Sequence, residues 1–227
     1  MAAEPARRPL PVAAVLFDLD GTLADSAGDL ALALNRVRAD VGMPPVPAAP
    51  LRAYASSGAR GLLEAGMGVT PAHAEYDSLR RAFLAHYARC LAESTRLYDG
   101  VAELLDAIDA RGLAWGIVTN KHARFTGPVV AALALAPRAR VVVSGDTTPN
   151  PKPHPAPLLH AAQALAVAPA SCVYVGDDLR DVEAGRAAAM ATIVAGYGYL
   201  GTAGDPAQWP ATGWIRHPLE LLDWLPG

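Results

Sequence analysis

Lysine is almost missing from this chain: of 19 Lys+Arg residues 17 are arginine, and Lys121 and Lys152 stand alone. Where the sequence needs general positive charge it uses arginine. Cysteine is equally scarce. Cys90 and Cys172 lie far apart, one in an alanine-rich helical pattern and one in an apolar strand pattern. Two buried thiols in a reducing compartment are therefore expected, and no disulfide. Charge of one sign never clusters, and the formal net charge is -3. That argues against nucleic-acid backbones and anionic membrane surfaces, which are held by grouped Lys and Arg. No stretch approaches the roughly 18 uninterrupted apolar residues of a spanning helix. The opening MAAEPARRPLPVAAVLF turns from basic to apolar as a secretory signal does, yet prolines interrupt it and Asp18 and Asp20 follow at once. It reads as a short tail entering a first strand, in a cytoplasmic protein.

What is present is a globular composition of 227 residues, 52% apolar and 18% charged, with 48 alanines spread through every helical segment. The length suits one large domain, or one domain with an insertion, and supports a core without disulfide or metal staples. Val12 to Phe17 is an apolar run ending at a polar turn, as in a strand buried on both faces of a parallel sheet. Helical patterns follow over Asp29 to Val41, Ala48 to Ala55, Ala59 to Gly66 and Ala72 to Glu93, with no convincing strand among them. From Asp99 onward strands and helices alternate. Helices are expected at Val101 to Ala110, Phe125 to Leu135, Ala156 to Leu165 and Asp181 to Met190. Strands are expected at Ala114 to Thr119, Arg140 to Ser144, Cys172 to Gly176 and Thr192 to Ala195, with a last short pair over Gly213 to Arg216 and Leu219 to Trp224. The fold class is α/β: a doubly wound parallel sheet formed by residues 1–27 and 95–227, with an all-helical insertion over residues 28–94.

In such a sheet ligands sit beyond the carboxyl ends of the strands. The first strand ends in Asp18-Leu19-Asp20-Gly21-Thr22, the second in Thr119-Asn120, the third leads through Gly145 to Lys152, and the fourth ends in Gly176-Asp177-Asp178. Asp18 and Asp20, two apart, can point the same way with Cα atoms about 6.5 Å apart. Carboxylates so placed repel unless a cation or a proton sits between them. With Asp177 they offer three hard oxygen donors, the set that suits Mg²⁺ bound alongside a phosphate. No His or Cys cluster offers a competing soft site.

FDLDGTLADS at Phe17 to Ser26, VTN at Val118 to Asn120, Lys152 in NPKPHPAP and VGDDLRD at Val175 to Asp181 resemble, in order and spacing, the four motifs of the haloacid dehalogenase-like superfamily. The resemblance implies a Rossmann-like core with an all-helical cap domain inserted between the first and second motifs, and an aspartate-based phosphatase acting on a small phosphorylated metabolite, with Mg²⁺ as cofactor, as a monomer or weak homodimer. By position, Asp18 resembles the nucleophile and Asp20 the general acid/base. Asp18, the backbone carbonyl of Asp20, and Asp177 resemble the metal ligands. Thr119 and the backbone of Asn120 resemble donors to phosphoryl oxygens, and Lys152 the balancing cation. Asp181 and Asp178 resemble outer-shell partners of the metal, although both could instead cap the helix near Leu179.

Within the insertion, Ser56-Ser57-Gly58-Ala59-Arg60-Gly61 brings backbone N–H groups and a fixed charge to one turn. Ser57, Gly58 and Arg60 are candidates to touch the part of the substrate beyond the phosphate; the alternative is a glycine-rich turn with a solvated arginine. Lys121 is open between a surface charge at a helix start and a substrate contact. Arg180 is open between an ion pair with Asp177 and a phosphate contact. His122, His154 and His160 read as turn or helix-surface residues, and Tyr54, Arg80 and Arg81 as ordinary helix residues. Asp20 argues against dehalogenation, and the absence of lysine from residues 28–95 excludes a Schiff-base mechanism in the insertion. The closer resemblance is to phosphatases of 2-phosphoglycolate and of N-acetylmuramic acid 6-phosphate. A sugar-phosphate mutase and a non-catalytic phosphate-binding module are the alternatives.

Overall fold

The computed structural model describes residues 9–227, so the start of the expected N-terminal tail lies outside the described residues. The central strand, β1 (Ala14–Phe17), is wholly buried because it has neighbours on both edges and helices on both faces. It pairs in parallel with β4 (Ala114–Val118) and β6 (Cys172–Gly176), with Phe17 opposite both Ile117 and Val175. β5 (Val142–Val143), β7 (Ala191–Ala195) and β8 (Gly213–Ile215) complete a parallel six-stranded sheet in the order β5-β4-β1-β6-β7-β8.

Alternation along β1 divides the core in two. Val15 and Phe17 face a cluster that takes in Trp115, Ile117, Val173 and Ile193 of the sheet, the apolar side of helix α4 (Val101–Ala110), and Val129 and Val130 of α5 (Ala123–Ala132). Ala14 and Leu16 face the opposite cluster, where α6 (Ala156–Ala164) and α7 (Leu179–Ala187) supply Leu158, Ala161, Ala162 and Ala184. The small alanines let these helices lie close to the sheet.

A third cluster belongs to the helical segment. It joins α1 (Ala27–Asp40), a short tight helix at Ala49–Ser57, α2 (Gly58–Met67) and α3 (Tyr76–Ala88) around Leu34, Leu51, Leu62, Leu63, Phe83 and Tyr87. Phe125 and Tyr199 reach into it from the α/β part.

Two features depart from expectation. β2 (Ala24–Asp25) and β3 (Arg96–Leu97) form an antiparallel ribbon where the chain leaves and re-enters the α/β part. Strands of two residues are too short to write an alternating pattern. The expected strand at Arg140 to Ser144 shrinks to Val142–Val143 because β5 is the sheet edge, where Val142 stays partly exposed. Both cysteines are free and buried. Among the described residues no helix is long and apolar enough to cross a membrane.

Both crossings between the two parts are tied by Asp29, in the first turn of α1. Its carboxylate accepts from Ser94 N (2.8 Å), Ser94 Oγ (2.5 Å), Thr95 N (3.1 Å) and Thr95 Oγ1 (2.6 Å). Burial raises its pKa, but these four hydrogen bonds outweigh burial and hold it below the ordinary 3.8. Asp29→Asn replaces one acceptor oxygen with an amide that faces donors, and should cost about 2–3 kcal/mol in denaturant unfolding at neutral pH. The carboxylate's contribution is present above the ordinary aspartate pKa and is lost as pH falls through the lowered folded value. The stability gap between wild type and variant should therefore close across that acid range.

Candidate active site

The carboxyl ends of β1, β4, β5 and β6 deliver four polar groups to one cleft. Asp18 follows β1, Thr119 follows β4, Lys152 arrives on the loop after β5, and Asp177 follows β6. Lys152, 4% exposed, lies at the centre. Its ammonium is 3.0 Å from Asp18 Oδ1 and 2.7 Å from Asp181 Oδ1, and it also donates to the Tyr174 hydroxyl (2.7 Å) and the Val118 carbonyl (3.1 Å). Burial pushes the lysine pKa down, but Asp18 and Asp181 outweigh it and the net shift is upward. A compact ammonium with three rotatable donors serves acceptors on several sides, whereas a planar guanidinium would need the room of its fork.

Asn120 fixes the lysine's backbone. Its Oδ1 accepts from Lys152 N and its Nδ2 donates to Lys152 O, both at 2.9 Å. Gly145 must lack a side chain for this loop to close, since a Cβ there would lie 2.2 Å from the Asn120 carbonyl oxygen.

Asp18, Asp177 and Asp181 bring one carboxylate oxygen each to within 4.8 Å of one another. Asp177 is fully buried and is oriented by the Thr22 hydroxyl (3.1 Å) and Tyr199 N–H (2.9 Å). Gly21, at φ +89°, leaves it space: a Cβ there would fall 2.1 Å from Asp177 Oδ2. Three carboxylates against one ammonium are out of balance in a buried site. Burial pushes Asp18 up to about 7, with Lys152 opposing and Asp181 and Asp20 adding to the rise. Burial, then Asp18 and Asp181, hold Asp177 well above the usual carboxylate range. A divalent cation would cancel that imbalance, and an all-oxygen donor set fits a hard ion of the Mg²⁺ type.

Asp178, beside this cluster, has partners of its own. Asp178 caps α7 through Arg180 N (3.0 Å) and pairs with the Arg180 side chain at 2.8 Å. Arg180 therefore pairs with Asp178, in place of the Asp177 partner read from sequence, and it also donates to the Ser56 carbonyl at 2.8 Å. Asp181, the third residue of that helix, closes the capping box by accepting from Asp178 N (3.0 Å), while its other oxygen holds Lys152.

The Asp20 side chain has partners of its own. Lys121 Nζ lies 2.9 Å from each of its oxygens, and the Ser26 hydroxyl donates to it at 2.5 Å. Lys121 is thus no surface charge: its side chain is 7% exposed and its ammonium stands 4.9 Å from the centroid of the Tyr87 ring in α3. The signal for it in sequence was its rarity, one of two lysines placed directly after Asn120. His122 remains exposed beside Asp146, as a turn residue would.

A cavity of about 350 Å³ opens onto Asp18, Asp20, Thr119 and Asn120 from the α/β part, and onto Ser57, Gly58 and Arg60 from the helical part. Arg80 lines it too, although its sequence context marks an ordinary helix residue.

Residues 15–195 match the haloacid dehalogenase-like hydrolase family. The chain is 43% identical to an N-acetylmuramic acid 6-phosphate phosphatase of Pseudomonas aeruginosa, over 93% of this chain and 94% of that protein. It is 40% identical to a phosphoglycolate phosphatase of Xanthomonas campestris pv. campestris, over 92% of this chain and 95% of that protein. A crystal structure described as a predicted phosphoglycolate phosphatase of Haemophilus somnus superposes with a TM-score of 0.82 at 28% identity, covering 93% of this chain and 97% of that one. The fold and the site thus define an α/β hydrolytic enzyme, and the chain belongs to the haloacid dehalogenase-like hydrolase family. Within that family it is a phosphoric monoester hydrolase.

Lys121→Met removes the cation from a partly buried carboxylate and leaves Asp20 held by Ser26 alone. Turnover of p-nitrophenyl phosphate at saturation should fall about ten- to a hundredfold, measured as kcat for nitrophenol release.

Proposed function

We propose that the protein is a Mg²⁺-dependent phosphatase that hydrolyses a small phosphorylated metabolite, 2-phosphoglycolate or N-acetylmuramic acid 6-phosphate, through an aspartyl-phosphate. The observation that carries this reading is the buried Lys152 ammonium bonded to Asp18, a carboxylate whose other side opens onto the cavity. Lys152 offsets the repulsion between an anionic nucleophile and an anionic phosphoryl group.

Asp18 attacks phosphorus and the bond from phosphorus to the ester oxygen breaks, while Asp20 gives the leaving alcohol a proton. Asp20 then takes a proton from water as that water attacks the aspartyl-phosphate. The bond between phosphorus and Asp18 breaks, releasing phosphate. Two such steps have lower barriers than one direct displacement. The Thr119 hydroxyl and the backbone N–H of Asn120 donate to the phosphoryl oxygens, and the Asn120 amide side chain keeps Lys152 in place. Asp18, the Asp20 carbonyl and Asp177 would hold Mg²⁺, which supplies positive charge to the phosphoryl oxygens when bound. Asp181, shared between Lys152 and the carboxylate cluster, keeps ammonium and metal site in register. Residues 28–94 act as a cap on the α/β core of residues 1–27 and 95–227, with the β2/β3 ribbon as its hinge. Closure excludes water and protects the intermediate. The relatives named for the two substrates support this reading, and both substrates carry a carboxylate besides the phosphate.

Asp18→Asn should reduce phosphate release by at least about a thousandfold, and Asp20→Asn by about a hundredfold or more. Chelation of divalent metal should abolish activity and added Mg²⁺ restore it. Full activity in Asp18→Asn, or in metal-free enzyme, would overturn the mechanism.

A further inference from the structure

The face of α3 turned to the cavity has a regular composition. Arg80, Phe83, Leu84 and Tyr87 all line the cavity and follow the i, i+3, i+4, i+7 spacing that puts residues on one helix face. Tyr87 marks the reacting end, because its ring meets Lys121, which holds Asp20. Across from it stands Phe125, with ring centroids 5.3 Å apart. Arg80 lies seven residues away, about 10 Å along the helix axis at 1.5 Å per residue. Between the two ends the wall is apolar, made by Phe83 and Leu84 with Leu30 of α1 facing the same space.

Charge around the cavity is asymmetric. Its acidic lining residues are Asp18 and Asp20, both at the reacting end. Of the cations, Lys121 is paired with Asp20, and Arg180 with Asp178. Arg60 and Arg80 are exposed and meet no hydrogen-bond or ion-pair partner among the described residues. An unpaired guanidinium at the far end of this apolar wall, that of Arg80, is suited to a second anionic group.

We infer that Arg80 is a specificity-determining residue that binds a carboxylate about 10 Å from the reacting end, so that α3 measures the substrate. This rests on the phosphatase reading above and narrows its substrate class. The substrate is a phosphomonoester in which a body of sugar-ring size, with an apolar face, separates phosphate from carboxylate. The two-carbon acid is too short: its phosphorus and carboxyl carbon are three bonds apart, about 4 Å, and cannot occupy both ends. The cavity volume of about 350 Å³ agrees, falling in the roughly 300–1,000 Å³ range of pockets that enclose drug-sized ligands.

The test compares kcat/KM of wild type, Arg80→Ala and Arg80→Lys on four probes. N-acetylmuramic acid 6-phosphate has ring and carboxylate, N-acetylglucosamine 6-phosphate has the ring alone, 2-phosphoglycolate has the carboxylate alone, and p-nitrophenyl phosphate reports the chemistry. Wild type should prefer the first probe. In Arg80→Ala its advantage over N-acetylglucosamine 6-phosphate should fall about tenfold, through KM, and Arg80→Lys should recover part of it. An equal loss on both ring substrates, no loss on either, or a wild-type preference for 2-phosphoglycolate would overturn the inference while leaving the phosphatase reading standing. Hydrolysis of p-nitrophenyl phosphate alone would do the same. No hydrolysis of any probe would instead refute the phosphatase reading, and the inference with it.

Discussion

A single buried ammonium organises this site. Lys152 reaches the cleft from the loop after β5, yet its bonds tie together the end of β1 through Asp18, the end of β4 through the Val118 carbonyl, and α7 through Asp181. Taking a cation out of water is costly unless it is paired and hydrogen-bonded. Here the partners are two carboxylates, a phenol and a carbonyl, so the lysine is satisfied and the carboxylates are held in place. Everything nearby serves that arrangement. Asn120 grips the lysine backbone, Gly145 and Gly21 vacate space where a side chain would collide, and the capping box of α7 orients Asp181. The excess negative charge left after Lys152 is counted suits the cleft to a hard cation.

The α/β part was largely legible in the sequence because its signals are local. α4 runs over Val101 to Ala110 as its pattern predicts, begun after Gly100 in a left-handed conformation, and β6 occupies Cys172 to Gly176 as its apolar run predicts. The strand-end motifs lead to one cleft because a parallel sheet aligns those ends. What was not legible depends on contacts distant in the chain. The Lys121 to Asp20 pair joins residues 101 positions apart, and no spacing rule predicts it. The β2/β3 ribbon exists only because the insertion leaves and returns side by side. Arg180 paired with the residue two before it, since Asp178 turned out to cap α7. The stripe through Arg80 was readable as helical spacing, but which face of α3 meets the cavity emerges only once α1, α2 and α3 pack together.

The division of labour between the two parts follows from their packing. The sheet carries rigid groups whose positions are set by strand register, so it suits chemistry that tolerates little displacement. The helical part has its own apolar cluster and meets the sheet part through Phe125, Tyr199 and the Asp29 clamp. Such a unit can vary its inner face without disturbing the catalytic end. Lys121 links the two, with one side on Asp20 and the other against Tyr87.

The proposed mechanism requires Asp18 to become covalently phosphorylated. Acid quenching during turnover of a substrate radiolabelled in its phosphate, followed by peptide mapping, tests it most directly. Acid-stable, hydroxylamine-labile label is expected on the peptide that contains Asp18. Turnover with no protein-bound label, or with label on a peptide lacking Asp18, would contradict it.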